Sequence, residues 1–140
     1  MPEATRSLTM AAEMSSLGAA MEFVRKGALE ANLQNGPLNE LDLLVEEAVA
    51  NVCRHAYPDK PGIMTVTYSI PVPGALSVEI ADQGIEFNPL SAKPPDLTLD
   101  LEHRPIGGLG IFLLKTLATS LTYRREAGWN HLTFRFSANS

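Results

Sequence analysis

Cysteine is almost missing from this chain. Cys53 stands alone, so no internal disulfide or multi-cysteine metal site forms, and nothing calls for an oxidising compartment. It reads as a small packed residue. Positive charge is also scarce: 11 Lys and Arg are set against 16 Asp and Glu, for a net charge of −5 and a pI near 5.1. With no basic run, a general nucleic-acid binder is disfavoured. No apolar run reaches the length of a membrane span, and no basic segment followed by an apolar stretch opens the chain. These absences lead to the expectation of a cytoplasmic protein without membrane or direct nucleic-acid partners. What is present is enough apolar residues, 45% of 140, to bury one core, so residues 1–140 are expected to form a single domain.

The stretch from Leu38 to Tyr57 organises the rest. Leu41, Leu44, Val45, Ala48, Val49 and Val52 repeat at helical spacing and form a wide core-facing stripe. Glu47, Asn51 and His55 follow one another at intervals of four and stack as a polar column beside it. A carboxylate, an amide oxygen and an imidazole against an apolar surface suit a hydrated cation and an activated hydroxyl. Asn39, with Asp42 three residues on, is the expected cap of this helix.

Before it, residues 5–12 suggest a short strand, and Leu17, Met21, Val24, Ala28 and Ala31 a helix from Met14 to about Asn32. Asn35-Gly36-Pro37 should stop that helix. After the central helix come two strand-like runs, 63–70 and 75–81, joined by a short turn and expected to pair as a hairpin. From Asp82 to Gly110 the chain is rich in proline and lacks periodicity, which suggests a functional lid, at about 85–106. A helix should resume near Leu109, with Ile111, Leu114, Leu117 and Ala118 inward. Strands 121–125 and 131–136 should close the chain around a turn at 127–130. The order predicts an α+β fold, a two-layer α/β sandwich whose mixed, mostly antiparallel sheet is covered on one face by helices.

Two further motifs carry chemistry. Asp82-Gln-Gly84 closes an apolar strand, where a carboxylate accepts from a base amine and glycine lets the backbone approach the ring; alone it reads as a turn. Gly107-Gly108-Leu109-Gly110 stands before a helix, where backbone N–H groups gather an anion. It is neither a Walker loop nor a dinucleotide fingerprint, and by itself serves equally as a flexible start to the helix.

The ordered set of Glu47, Asn51 and His55, then Asp82-x-Gly84, a long lid and Gly108-x-Gly110 resembles the boxes of the GHKL ATPase superfamily. That superfamily includes gyrase, MutL proteins, large heat-shock chaperones and histidine kinases, and its ATP-binding architecture is the Bergerat fold. The stretches EAVANVCRHAY, ADQGIEFNP and RPIGGLGIFLLK, with the closing WNHLTF, are similar to the stand-alone bacterial anti-sigma-factor serine/threonine kinases. The resemblance implies ATP and Mg²⁺. It makes Asn51 the metal-binding asparagine, Glu47 the general base, and Arg54 and His55 polar neighbours of the phosphates. Asp82 becomes the reader of the adenine amine, supported through water by Thr133. Gly84, Gly108 and Gly110, with Leu109 between the last two, become the nucleotide-gripping boxes, and Arg104 a lid residue reaching the terminal phosphate.

The implied activity is phosphorylation of a small anti-sigma-factor antagonist by an anti-sigma factor in a partner switch. The partners would be a sigma factor or other regulatory target, that antagonist, and a second copy in a homodimer. No histidine-bearing dimerisation helix precedes the boxes and no transducer domain follows them, so neither a complete sensor kinase nor a gyrase-like machine is expected. The alternative is a non-catalytic, ATP-gated module that binds regulatory proteins. Glu47 favours the enzyme, since a binding module needs no base.

Overall fold

Alternation of apolar and polar residues over 63–69 and 75–82 sends every second side chain to one side, and the chain pairs these runs into a sheet with a single apolar face. The computed structural model describes residues 5–91 and 114–138. In chain order its elements are β1 (Thr5–Ala11), α1 (Leu17–Glu30), α2 (Gly36–His55), β2 (Ile63–Ser69), β3 (Ala75–Asp82), β4 (Ser120–Glu126) and β5 (Trp129–Ser137). The five strands lie in the order β1-β2-β3-β5-β4, and each of the four pairings is antiparallel. Residues 114–117 are helical, with Leu114 fully buried and Leu117 and Ala118 packed against the core.

The core lies between the sheet and the two helices. Met64, Val66 and Tyr68 of β2, Leu76, Val78 and Ile80 of β3, and Leu132, Phe134 and Phe136 of β5 face Val24 and Ala28 of α1 and the expected stripe of α2. The other face of the sheet is polar. Ser7 and Thr9 exchange hydroxyl hydrogen bonds with Thr67 and Thr65 at 2.8 and 2.9 Å. Among the described residues no helix is long and apolar enough to cross a membrane.

The junction between the helices departs from expectation. α2 starts at Gly36 with Pro37 in its first turn, where a missing N–H costs nothing. Asn39 is therefore inside the helix, donating its N–H to the Asn35 carbonyl, and caps nothing. Asp42 instead meets Arg25 of α1 at 3.5 Å. α1 ends in a Schellman motif: Leu33 N–H reaches the Ala28 carbonyl, Asn32 N–H reaches that of Leu29, and Asn32 takes φ 66°. Leu33 is then buried under the helix end.

At the far end, Ala127 (φ 51°) and Gly128 (φ 85°) make a two-residue turn with both centres left-handed, the geometry that matches strand twist. The turn is tighter than the expected 127–130, so Trp129 and Asn130 belong to β5.

Gly27 and Gly18 of α1 differ in what a methyl group would meet. At Gly27 a Cβ would lie 2.5 Å from the Tyr68 ring, whereas at Gly18 it meets nothing. Denaturant unfolding should show Gly27→Ala destabilised by about 1–3 kcal/mol, as for overpacked sites. Gly18→Ala should be stabilised by roughly 0.4–1 kcal/mol.

Candidate functional site

A pocket opens where the C-terminal half of α2 passes over the ends of β3 and β5. α2 supplies Ala48, Asn51, Val52 and His55, its C-cap supplies Ala56, and the strands supply Ile80, Asp82, Asn130, Leu132 and Tyr123. Phe87 and Pro89, at the root of the expected lid, close one side. The lining is mainly apolar with a few convergent polar groups, the usual make-up of a small-molecule site.

Asp82 is buried at the base of this pocket. Its Oδ1 accepts from Gly84 N–H and from Asn130 Nδ2, each at 2.9 Å. Both bonds fall on one oxygen, which leaves Oδ2 without a partner among the described residues. Asn51 is buried too, and its Nδ2 has no hydrogen-bond partner among the described residues. Leaving such a group unmatched costs about 1–3 kcal/mol, and a ligand that engages the amide recovers it. The other end of that amide is a carbonyl oxygen, the kind of donor that hard cations take.

His55 lines the pocket and stacks on Phe87, with ring centroids 4.3 Å apart and planes at 21°. Burial first, and then the Arg54 charge, hold its pKa below the ordinary 6.5. Arg54 itself is exposed and is not part of the lining. Glu47 is half-buried one turn before Asn51 and is not part of the lining. The Asn51–His55 part of the expected column thus enters the pocket, and Glu47 does not line it.

Gly84 has a packing reason of its own: a Cβ would sit 2.1 Å from the Ala56 carbonyl oxygen. The same oxygen accepts from Ile85 N–H at 2.9 Å, and the Gly84 carbonyl accepts from Arg125 at 2.7 Å. Tyr57 fastens the next layer, receiving Gln83 N–H and donating to the Ile63 carbonyl.

Thr133 is misplaced by the sequence reading. It pairs with Glu79 across β3 and β5, and its hydroxyl donates to Glu79 Oε2 at 3.3 Å on the polar face of the sheet. His131 joins that cluster through Glu79 Oε1 at 3.1 Å. Asp82 pairs instead with Asn130, on the helix side. Asn130 is the residue that sequence reasoning missed. The signal was present in strand parity, for 130 and 133 differ by an odd number and face opposite ways. Arg104, Gly108, Leu109 and Gly110 lie outside the described residues, as does the lid beyond residue 91.

A sequence profile described as the histidine kinase-like ATPase domain matches residues 10–136. The chain belongs to that family. It is 35% identical over 94 residues to the serine/threonine-protein kinase BtrW of Bordetella bronchiseptica, covering 66% of each protein. It is 27% identical over 103 residues to the serine-protein kinase RsbW of Bacillus mycoides, covering 71% of this chain and 64% of that one. The match therefore spans just under two thirds of the length of these relatives. Among solved structures, the histidine kinase domain of a blue-light activated kinase from Erythrobacter litoralis superposes with a TM-score of 0.54 at 16% identity, covering 88% of this chain and 61% of that one. Histidine kinase AdeS of Acinetobacter baumannii gives 0.50 at 13%, covering 96% and 70%. These two share the family's fold.

The depressed His55 pKa has a sign that can be checked. A group whose folded value lies below its unfolded one contributes stability that is complete above the unfolded value, 6.5 here, and is lost as pH falls through the folded value. Between about pH 7 and about pH 5 the thermal midpoint of the wild type should therefore fall further than that of His55→Gln. Circular-dichroism melts of the two proteins across that range supply the comparison.

Proposed function

We propose that this protein binds ATP with Mg²⁺ in the α2–β3–β5 pocket and transfers the terminal phosphoryl group to a serine or threonine of a small partner protein. The observation that carries the reading is the pairing of two buried polar groups on one pocket. Asp82 offers an unengaged carboxylate oxygen at its base, and Asn51 an unmatched amide on its helical wall. An adenine amine answers the first; at Asn51 the unmatched Nδ2 donor suits a phosphate oxygen, and the carbonyl oxygen of the same amide suits a phosphate-bound cation. Membership of the histidine kinase-like ATPase family and similarity to two proteins named as serine kinases support the same assignment.

In this reading Asp82 accepts from the base amine, while Ile80, Leu132 and Val52 exclude water around the ring. Asn51 holds the metal, which supplies charge neutralisation across the phosphates. No group of three or more His, Cys, Asp or Glu side chains among the described residues forms a metal cluster. A single protein ligand suits Mg²⁺, which keeps several waters and takes phosphate oxygens. Glu47, one turn from Asn51 on the same helix face, takes the proton from the attacking hydroxyl as general base. Arg54, Arg104, Gly108, Leu109 and Gly110 are proposed to surround the phosphates.

The partner switch follows from the same reading. The protein acts as an anti-sigma factor whose target is a sigma factor or another regulator, and it releases a small antagonist once that antagonist is phosphorylated. It works in the cytoplasm, as one domain over residues 1–140, and as a homodimer.

Calorimetry should show ATP binding that requires Mg²⁺ and weakens at least about tenfold in Asp82→Asn. With γ-labelled ATP and a candidate antagonist, Glu47→Gln should lose about 10²–10⁴-fold in transfer while its ATP affinity stays near that of the wild type. Full transfer by Glu47→Gln would remove the residue from the chemistry. Binding without transfer in the wild type would favour the ATP-gated binding module.

A further inference from the structure

We propose that Asn130 is a specificity-determining residue at the base end of the pocket: it fixes the orientation in which the Asp82 carboxylate meets the ligand, and ties that orientation to the root of the lid. The proposal rests on the nucleotide reading above and deepens it.

Asn130 is 5% exposed. A primary amide offers two N–H donors and two acceptor lone pairs, and all four are used. Nδ2 donates to Asp82 Oδ1 at 2.9 Å and to the Ile85 carbonyl at 2.7 Å. Oδ1 accepts from the Tyr123 hydroxyl at 2.6 Å and from Phe87 N–H at 3.4 Å. The partners fix which way the amide points. A carboxylate and a carbonyl only accept, a backbone N–H only donates, and burial raises the Tyr123 pKa so that its hydroxyl keeps the proton. A flipped amide would set oxygen against oxygen at both Asp82 and Ile85.

The consequence falls on Asp82. Its Oδ1 is engaged by Asn130 and Gly84 together, so Oδ2 is the oxygen left to face a ligand. Held that way, it presents an acceptor at a fixed position, which selects a base carrying an amine there and opposes one carrying a carbonyl. Without Asn130 the carboxylate keeps only the Gly84 bond, rotates about its last torsion, and loses that discrimination. Asn130 also bonds Ile85 and Phe87, so the segment that follows Gly84 is anchored to the same amide. Phe87 stacks on His55, which completes the link from base reader to pocket wall.

The test compares ATP with inosine triphosphate, which carries a carbonyl in place of the 6-amine, by calorimetry on wild type, Asn130→Leu and Tyr123→Phe. Asn130→Leu should weaken ATP by about tenfold and change inosine triphosphate by less than about twofold. Tyr123→Phe removes one donor to the amide and preserves the ring, so it should shift the ratio in the same direction by a smaller factor. It keeps the question answerable if Asn130→Leu fails to fold. Equal weakening of both nucleotides, or an unchanged ratio in the folded variants, would overturn the assignment of Asn130 and leave the nucleotide pocket standing. A wild type that binds neither nucleotide would instead sink the underlying reading, and this proposal with it.

Discussion

The pocket exists because the end of α2 and the exit of β3 touch at backbone distance. The Ala56 carbonyl accepts from Ile85 N–H, and the intervening Gly84 has no side chain because a Cβ would meet that carbonyl oxygen at 2.1 Å. The contact satisfies one of the helix's terminal carbonyls, which would otherwise need another partner. It also sets the separation between the helix face bearing Asn51 and His55 and the strand end bearing Asp82. Tyr57 and Arg125 brace it from either side, through Gln83 and the Gly84 carbonyl. Glycine at 84 is thus explained by protein packing before any ligand is considered.

Much of this was legible in the sequence, for reasons that differ by element. The stripe on α2 was clear because six apolar positions repeated the helical period and all are buried. β2 and β3 were clear because alternation and β-branched residues agreed across a short turn. The α2 start was obscured by competing signals: Asn39 and Asp42 have the spacing of a cap, but Pro37 holds the first turn and Asp42 is engaged by Arg25. In the site, Asn51, His55 and Asp82 stood out through their chemistry and position, and the structure brings these three into one lining. Glu47 and Arg54 share the helix but lie outside that lining: Arg54 is one position from His55 and so turns to another face, whereas Glu47 shares the face of Asn51 one turn nearer the start of the helix.

Asn130 was hidden for a more instructive reason. A turn drawn two residues too long placed it in a loop, while the family resemblance carried the support of Asp82 to Thr133. Strand parity carries the opposite answer, since β5 buries Asn130, Leu132, Phe134 and Phe136 on the helix side and turns His131, Thr133 and Arg135 outward. Thr133 is accounted for by Glu79 on the outer face. Parity along the strand, rather than the order of motifs, therefore decides which residue of β5 meets Asp82.

Strand order has a consequence for how the protein reaches this state. β2–β3 and β4–β5 are local hairpins, whereas Asp82 and Asn130 are 48 residues apart in sequence and meet only where β3 pairs with β5. Closing that long loop carries an entropic cost that neither hairpin bears alone. A partly folded chain can hold both hairpins and still have no pocket, because its two halves belong to different hairpins. Nucleotide recognition would then be confined to the fully assembled sheet, and ligand binding would stabilise a pairing that no local hairpin provides.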